Sequence, residues 1–296
     1  MVDPLNAKQD QLRQLIRRMQ AAVVCYSGGV DSTFLLKVAV EELGDGALAL
    51  TAESPSLPQR ELAQARDVAR SIGAQLLVRR SNELARADYV ANPSNRCFHC
   101  KTELMGLARQ TARERGIPYI LVGTNADDLG GHRPGLAAAN EGGACHPLAE
   151  VGLTKQEIRD LSRQLGLPTW DKPEMACLAS RFPYGTPITD ERLQRVERFE
   201  AALADLGFEG IRVRFHDTIA RLELLPEQMA RAVDPAARER IVAAGRELGF
   251  AYVALDLAGY RRGAMNEVLP ELARAPDAEQ VSRATGAATK PFAADK

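Results

Sequence analysis

The chain has 296 residues, of which 45% are hydrophobic and 26% are charged, as is typical of a globular protein with one large domain or two ordinary ones. The 38 Lys and Arg residues are balanced by 39 Asp and Glu, so the basic excess of a protein that wraps a long nucleic acid is missing. The first ten residues lack the pattern of a secretory signal, and no apolar run is long enough to cross a bilayer, so we expect a cytoplasmic protein that makes no membrane contact.

Short apolar runs alternate with amphipathic stretches from residue 21 to about residue 168. The predicted strands are residues 21–26, 47–51, 75–79 and 119–122, and the predicted helices between them are residues 32–43, 58–72 and 98–115. Strands that are separated by helices of this length indicate an α/β fold with a doubly wound parallel sheet.

The pattern changes after residues 171–187, which contain three prolines. Predicted helices at 191–206 and 236–248, with strands at 211–215, 220–224 and 252–256, indicate a smaller C-terminal α+β domain. We therefore expect a nucleotide-binding domain over residues 1–185, a small domain for substrate binding or oligomer contacts over 186–270, and a tail over 271–296. The tail is rich in Ala, Pro and small polar residues without periodicity, which predicts disorder.

The sequence Ser-Gly-Gly-Val-Asp-Ser-Thr at residues 27–33 lies between a predicted strand and a predicted helix. Gly28 and Gly29 allow backbone amides to approach an anion closely, and the helix start adds a favourable dipole. Asp31 would repel phosphates, so it is better suited to bind a magnesium ion that bridges them. A plain Gly-Gly turn is the alternative, but the whole string favours phosphate binding. It is not a Walker A loop, because no Gly-Lys-Ser/Thr follows.

This string resembles the PP-loop of the ATP pyrophosphatases, which include asparagine, GMP and NAD synthetases and tRNA thiolases. The resemblance implies that ATP is cleaved between its α and β phosphates and that AMP is transferred to an oxygen of the substrate. It implies ATP and Mg²⁺ as cofactors, with contacts from seven residues: Ser27, Gly28, Gly29, Asp31 and Ser32 in the loop, Ala52 after the second strand, and Gly123 after the fourth.

Three cysteines invite a metal or catalytic explanation, because structural disulfides are rare in the cytosol. Cys97 and Cys100 form a Cys-x-x-Cys at a predicted helix start, which should lower the pKa of both thiols, and Cys177 follows the main sheet. Three thiolates suit an iron–sulfur cluster with one open iron, and zinc with His99 as a fourth ligand is the competing possibility. Cys25, inside an apolar strand, is expected to be a buried small hydrophobe.

Further strings narrow the resemblance. They are Ala-Cys-Leu-Ala-Ser-Arg-Phe-Pro-Tyr-Gly at 176–185, Arg-Val-Arg-Phe-His at 212–216, His-Arg-Pro-Gly at 132–135, and Gly-Tyr-Arg at 259–261 with Met-Asn at 265–266. Together with the loop they resemble the LarE family over about residues 10–270. The resemblance implies a sulfurtransferase of nickel-pincer nucleotide cofactor biosynthesis, which adenylates pyridinium-3,5-biscarboxylic acid mononucleotide and converts its carboxylates to thiocarboxylates.

The LarE resemblance also implies roles for particular residues. The catalytic set is Cys177, Asp31 and Arg181; the substrate phosphate set is Arg212, Arg214, Ser180 and Lys101; Glu200, Glu223 and Asp128 are weaker assignments. In the single-cysteine form of the family, the residue matching Cys177 gives up its sulfur and becomes dehydroalanine. In the three-cysteine form a [4Fe-4S] cluster supplies sulfide, and the presence of Cys97 and Cys100 favours that form. The resemblance further implies a homo-oligomer, by precedent a hexamer.

Three other functions remain open from the sequence. A tRNA thiolase would want a basic surface or an added RNA-binding domain, and neither is visible. An ammonia-dependent amide synthetase needs no clustered cysteines, so replacing all three with serine would leave it active. A non-enzymatic ATP sensor would release no pyrophosphate with any candidate substrate.

Overall fold

The computed structural model describes residues 3–130, 134–174, 176–261, 263–268 and 291–292. The predicted motif residues His132 and Arg133 lie outside the described residues, as does nearly all of the predicted tail.

The four predicted strands form one parallel sheet. They are β1 (Ala22–Cys25), β2 (Ala47–Glu53), β3 (Gln75–Arg80) and β4 (Tyr119–Val122), in the spatial order β3-β2-β1-β4. All three strand pairs are parallel, and Cys25 lies in register with both Leu50 and Val122. Every residue of β1 is buried, as expected for a central strand that is covered on both faces.

Helices cover both faces of this sheet, which confirms the predicted doubly wound α/β fold. They are α1 (Pro4–Arg17), α2 (Val30–Leu43), α3 (Gln59–Ile72), α4 (Ala87–Val90), α5 (Arg96–Arg115), α6 (Pro134–Glu141), α7 (Pro147–Glu150) and α8 (Lys155–Gln164). Val24 points into a core that is shared with α1, α2, α3 and α8. Its neighbours Val23 and Cys25 point to the opposite face, into a core that is shared with α5 and α6.

Five of these helices, α1, α4, α6, α7 and α8, were not predicted, although the start signals of α1 and α8 are present in the sequence. Helix α1 begins with the Asp3 side chain accepting a hydrogen bond from the Leu5 amide, and Pro4 follows at its first position. Helix α8 begins with a capping box, in which Thr154 and Glu157 each accept a hydrogen bond from the other's backbone amide. Both helices pack against α2 and complete one face of the sheet.

The C-terminal elements have the predicted α+β character. They are α9 (Asp190–Asp205), β5 (Arg212–His216), β6 (Ile219–Glu223), α10 (Pro226–Val233), α11 (Pro235–Glu247) and β7 (Tyr252–Leu255), and α10 was not predicted. The sheet order is β5-β6-β7, with β5 antiparallel and β7 parallel to β6. Its core includes Phe199, Phe215 and Phe250, and also Tyr89 and Leu178 from earlier in the chain. The domain boundary at residue 185 stays a prediction.

Two residues of the predicted tail are described, and they pack against the first sheet's domain. The Phe292 ring lies 5.3 Å from the Arg109 guanidinium and 5.6 Å from that of Arg113, both on α5. The Phe292 amide donates to the Pro118 carbonyl at 2.5 Å. Disorder of residues 271–290 and 293–296 is a prediction that falls outside the described residues. Across the described ranges, no helix combines the length and apolar character needed to span a membrane.

Candidate active site

The predicted phosphate loop leaves the carboxyl end of β1 and enters α2, the edge of a doubly wound sheet where nucleotides bind. Gly28 has a φ of +73°, and a Cβ atom there would lie 2.7 Å from the Cβ of Ala65. Both the backbone conformation and the close approach of α3 therefore require glycine. Gly29 is the N-cap of α2 and has no side chain with which to cap the helix, and its own amide makes only a long bond to Ser27 Oγ, at 3.4 Å. The amides in the first turn of α2 are therefore suited to receive an anion.

Hydroxyl groups hold the loop in a compact shape. The Oγ atoms of Ser27 and Ser32 are 3.0 Å apart, and Ser32 Oγ donates to the Gly29 carbonyl at 3.3 Å. Gly123, just after β4, lies against the start of α2, where an added Cβ would be 3.0 Å from the Ser32 amide nitrogen. Ala52 is half-buried near the end of β2. The predicted ATP contacts therefore share one edge of the sheet.

Asp31, the predicted magnesium ligand, already has two partners. Its carboxylate is 2.5 Å from Lys155 Nζ and accepts from Asn125 Nδ2 at 3.3 Å. Among the described residues, no three His, Cys, Asp or Glu side chains form a group that could hold a metal ion. Asp31 therefore fits magnesium only as a single protein ligand, with nucleotide oxygens and water supplying the others, which is common for this ion.

Two lysines next to the loop were not recognised in the sequence. Lys155 is the first residue of α8, and Lys172 Nζ donates to the Gly28 carbonyl at 3.1 Å while pairing with Glu61 at 3.0 Å. Both lie more than 120 residues from the loop in sequence, so no local motif marks them. The capping box that begins α8 was the one available signal for Lys155.

The three cysteines lie in one region, beside the start of α5. Cys97 and Cys100 are in its first two turns, and Cys177 precedes a short 3-10 helix, Leu178–Arg181. Burial raises the pKa of the Cys100 thiol, and nearby Glu83, Cys177 and Cys97 raise it further. Desolvation and then Cys177 also raise the pKa of Cys97, against an opposing effect of Arg96. The helix start was expected to lower these pKa values, but desolvation and the neighbouring thiols raise them.

The arrangement of the three cysteines bears on the predicted cluster. The described residues contain no converging set of three potential ligands, so Cys97, Cys100 and Cys177 do not form a ready metal site. His99, the alternative zinc ligand, has its Nδ1 3.0 Å from Asp88 Oδ2. The [4Fe-4S] cluster and the zinc alternative both stay predictions. Cys25 is buried at the end of β1, as expected, and burial raises its pKa to about 11.

Asn92 and Arg96 attach the Cys177 segment to α5, and neither was singled out in the sequence. Asn92 Nδ2 donates to the carbonyls of Pro183 at 2.8 Å and Thr186 at 3.1 Å, while its Oδ1 accepts from Arg96. Arg96 also donates to the Ala179 carbonyl at 3.0 Å. Burial opposes the charge of Arg96, but the neighbouring Cys177 and Cys97 raise its pKa overall.

The three predicted arginines have different partners. Arg181 forms a two-pronged pair with Glu200, at 2.8 and 2.9 Å, and also donates to the Cys177 carbonyl at 3.1 Å. Arg181 is 3% exposed, so its guanidinium bonds mainly to other residues of the protein. Its guanidinium bonds the backbone of Cys177 and not, in any described contact, the thiol. Arg181 therefore fixes the position of the segment that carries this cysteine.

Arg212 and Arg214 lie on one face of β5, as predicted, but only Arg214 is paired with a carboxylate. Arg214 bonds Glu223 at 2.5 Å and the Ser180 carbonyl at 2.8 Å. Arg212 stacks on the Tyr260 ring at 5.0 Å, and burial followed by the charge of Arg181 lowers its pKa. A guanidinium in such surroundings is stabilised by an anion, which makes Arg212 the better phosphate candidate.

Lys101 lies on α5, and its charge acts on groups in two parts of the site. It is one turn beyond Cys97 on α5. Burial raises the pKa values of Cys25, Cys97 and Cys100, and the charge of Lys101 opposes that rise. For His146, burial lowers the pKa and the charge of Lys101 lowers it further. One ammonium group therefore acts on both the end of β1 and the cysteine region. This placement suits the predicted role at the reacting end of a substrate.

The sequence is similar to known proteins over most of its length. It is 36% identical over 267 residues to pyridinium-3,5-bisthiocarboxylic acid mononucleotide synthase of Lactiplantibacillus plantarum, covering 90% of this chain and 96% of that protein. The chain belongs to the LarE family. Another relative, an uncharacterized protein of Synechocystis sp., is 46% identical over 90% of this chain and 99% of its own length. An uncharacterized protein of Methanocaldococcus jannaschii is 26% identical over 81% of this chain and 90% of its own length. No protein-family model matches the chain.

Proposed function

We propose that this LarE chain is an ATP-dependent sulfurtransferase that adenylates a carboxylate of pyridinium-3,5-biscarboxylic acid mononucleotide and replaces it with a thiocarboxylate. The observation that carries the proposal is the direct attachment of the Cys177 segment to the nucleotide edge of the sheet. The Leu178 amide donates to the carbonyl of Ser56, just beyond β2, at 2.8 Å. This bond anchors the segment that carries Cys177 beyond the same end of the sheet that the phosphate loop occupies, which supports a two-stage adenylation and sulfur transfer.

In the first stage, a carboxylate oxygen of the substrate attacks the α-phosphorus of ATP. The bond between the α-phosphorus and the bridging oxygen breaks, its electron pair stays with the departing pyrophosphate, and an acyl adenylate forms. The amides at the start of α2 would hold the phosphates during this displacement. Asp31 would orient the magnesium ion, which offsets the charge of the phosphate oxygens when it is bound.

In the second stage, sulfur displaces AMP from the acyl carbon, because AMP is a far better leaving group than oxide. With Cys177 as donor, its thiolate forms the C–S bond as the C–O bond to AMP breaks. Loss of the Cys177 α-proton then cleaves its own Cβ–S bond, which leaves dehydroalanine and the thiocarboxylate. A sulfide held on a [4Fe-4S] cluster at Cys97, Cys100 and Cys177 is the other proposed source, and it leaves Cys177 intact.

The substrate's phosphate is proposed to bind Arg212, with Arg214, Ser180 and Lys101 nearby. In support of this, Arg212 has no carboxylate partner among the described contacts and stacks on Tyr260. The active protein is further proposed to be a cytoplasmic homo-oligomer, a hexamer by family precedent. Light scattering on the purified chain tests the assembly.

The adenylation stage predicts AMP and pyrophosphate as products. Asp31→Asn should reduce turnover at least about tenfold, since a neutral amide is a much weaker magnesium ligand than a carboxylate. Anion-exchange chromatography of nucleotides after reaction with the substrate measures both points. Formation of ADP and phosphate by the wild-type chain would contradict the proposed function.

The sulfur-transfer stage predicts that Cys177→Ala abolishes thiocarboxylate formation while pyrophosphate release continues. Mass spectrometry after turnover then separates the two donors. A Cys177 that has become lighter by one hydrogen sulfide indicates sacrifice. An intact Cys177, iron and sulfide in anaerobically purified protein, and inactive Cys97→Ser and Cys100→Ser variants indicate the cluster. Cys145→Ala, a buried cysteine outside the group, is the control and should stay active. Full thiocarboxylate yield from Cys177→Ala would exclude both routes.

A further inference from the structure

Lys155 has a fixed position beside the phosphate loop. It is the first residue of α8, and its backbone amide donates to Asp127 Oδ2 at 2.8 Å. The preceding residue, Thr154, is locked in the capping box with Glu157. The backbone from which the Lys155 side chain extends is therefore well anchored, while the side chain itself is 22% exposed and can change partners.

The ammonium group of Lys155 lies 2.5 Å from Asp31 Oδ2. Asp31 is in the first turn of α2, two residues after the N-cap Gly29. The ammonium group is thus adjacent to the amides that would receive phosphate oxygens. Asp31 is also the residue assigned to the magnesium ion that accompanies ATP. A carboxylate that turns to a divalent cation leaves the ammonium beside it without a counter-ion, next to an arriving polyphosphate.

We propose that Lys155 is a catalytic residue of the adenylation step, paired with Asp31 before ATP binds and with the β- and γ-phosphates afterwards. As the α-phosphorus–oxygen bond breaks, negative charge builds on the leaving pyrophosphate, and a lysine ammonium at that point stabilises it. In this role the lysine acts only through its charge, and the step needs no proton transfer. This inference rests on the proposed function, because it assigns the leaving-group contact of that reaction.

Lys172 provides the contrast that defines this role. Its ammonium group binds the Gly28 carbonyl and has a carboxylate of its own, Glu61, at 3.0 Å. Its side chain is 10% exposed, against 22% for Lys155. Lys172 therefore supports the backbone of the loop, whereas Lys155 is bound only to a carboxylate that the reaction is expected to use otherwise.

The test compares two nucleotides that differ only in the phosphates that Lys155 would contact. Dissociation constants of AMP and of α,β-methylene ATP, which resists cleavage at the reacting bond, are measured with magnesium by calorimetry. The proteins are the full wild-type chain, Lys155→Met, Lys155→Arg and the control Lys8→Met. Lys8 also pairs with a carboxylate of α8, Glu157 at 2.7 Å, but in the described structure it makes no bond to the loop.

Lys155→Met should weaken binding of the ATP analogue about ten- to a hundredfold more than binding of AMP, because the variant loses a charged hydrogen bond to the added phosphates. Lys155→Arg should retain most of the preference, and Lys8→Met all of it. Equal losses for the two nucleotides, or no loss, would overturn the role of Lys155. In either case a wild-type chain that still yields AMP and pyrophosphate leaves the proposed function standing. A wild-type chain that binds neither nucleotide overturns both. If Lys155→Met does not fold, Lys155→Gln replaces it in the same comparison.

Discussion

Arg212 and Arg214 occupy equivalent positions two residues apart on β5, yet their surroundings give them different tasks. Arg214 is 5% exposed and bonded to Glu223, which is 1% exposed. Arg212 has a ring beneath it and no carboxylate among its described contacts. We expect Arg212→Ala to weaken substrate binding about ten- to a hundredfold without lowering the free energy of unfolding. Substrate titration and urea denaturation of the same variant measure both quantities.

Arg214→Ala should instead destabilise the protein, by about 3 kcal/mol, because it leaves the Glu223 carboxylate buried without its main partner. The nearby Arg221, 3.3 Å from Glu223, offsets part of that cost. The double variant Arg214→Ala/Glu223→Ala, which removes both charges, should recover some of the lost stability. A fully stable Arg214→Ala protein with poor substrate binding would show that Arg214 acts chiefly on the substrate.

Among the secondary-structure elements, the segment that carries Cys177 is held by side chains from other parts of the chain, and of the described residues Asn92 makes the most bonds to it. Asn92 is fully buried, has a φ of +53°, and bonds the carbonyls of Pro183 and Thr186. Asn92→Ala should lower the free energy of unfolding by about 2–4 kcal/mol, from unpaired carbonyls and from a left-handed backbone that alanine disfavours. It should also make residues 176–187 more sensitive to proteolysis.

Asn92→Gly is the matched variant, because glycine accepts the left-handed backbone and lacks only the hydrogen bonds. Faster cleavage of residues 176–187 in both variants would assign the effect to the side-chain bonds. Cleavage in Asn92→Ala alone would assign it to the backbone. Resistance of both variants would contradict the role given to Asn92.

At the scale of the whole molecule, one buried histidine makes stability depend on pH. Burial, and then the charge of Lys101, lowers the pKa of His146 to about 4, and its ring nitrogens lie 2.9 Å from Thr124 Oγ1 and Asn140 Oδ1. The unfolded chain binds a proton at this histidine near pH 6.5, but the folded chain does not until about pH 4. The contribution of neutral His146 to the free energy of unfolding is therefore complete above about pH 6.5. As the pH falls toward about 4, the free energy of unfolding decreases by up to roughly 3 kcal/mol.

His146→Gln isolates this effect from the carboxylates that titrate over the same range. Glutamine keeps polar atoms for Thr124 and Asn140 but cannot gain a proton. The stability advantage of the wild type over the variant, measured by urea unfolding, should shrink between about pH 7.5 and about pH 5. A difference that is constant with pH would mean that His146 titrates alike in both states.

Local sequence patterns were sufficient to predict the α/β class, the four parallel strands and the family, while phosphate binding by the loop stays a prediction. These follow from local signals: apolar runs of strand length, amphipathic helices, and a glycine-rich string at a strand-to-helix junction. Gly28 illustrates why, since its φ of +73° is a property of one residue that the sequence states directly. The capping residues Asp3 and Thr154 are equally local signals, although α1 and α8 were not predicted from them.

Which charged groups and thiols lie close together is visible only in the folded structure. The contact of Lys155 with Asp31 spans 124 residues, and that of Arg96 with the Ala179 carbonyl spans 83. The sequence predicted lower pKa values for the thiols at the start of α5, but burial raises those of Cys97 and Cys100. Likewise, Glu223 on β6 lies opposite Arg212 in the register of the two strands, yet it bonds Arg214. Desolvation and long-range partners depend on how the chain packs, and no local pattern of residues records them.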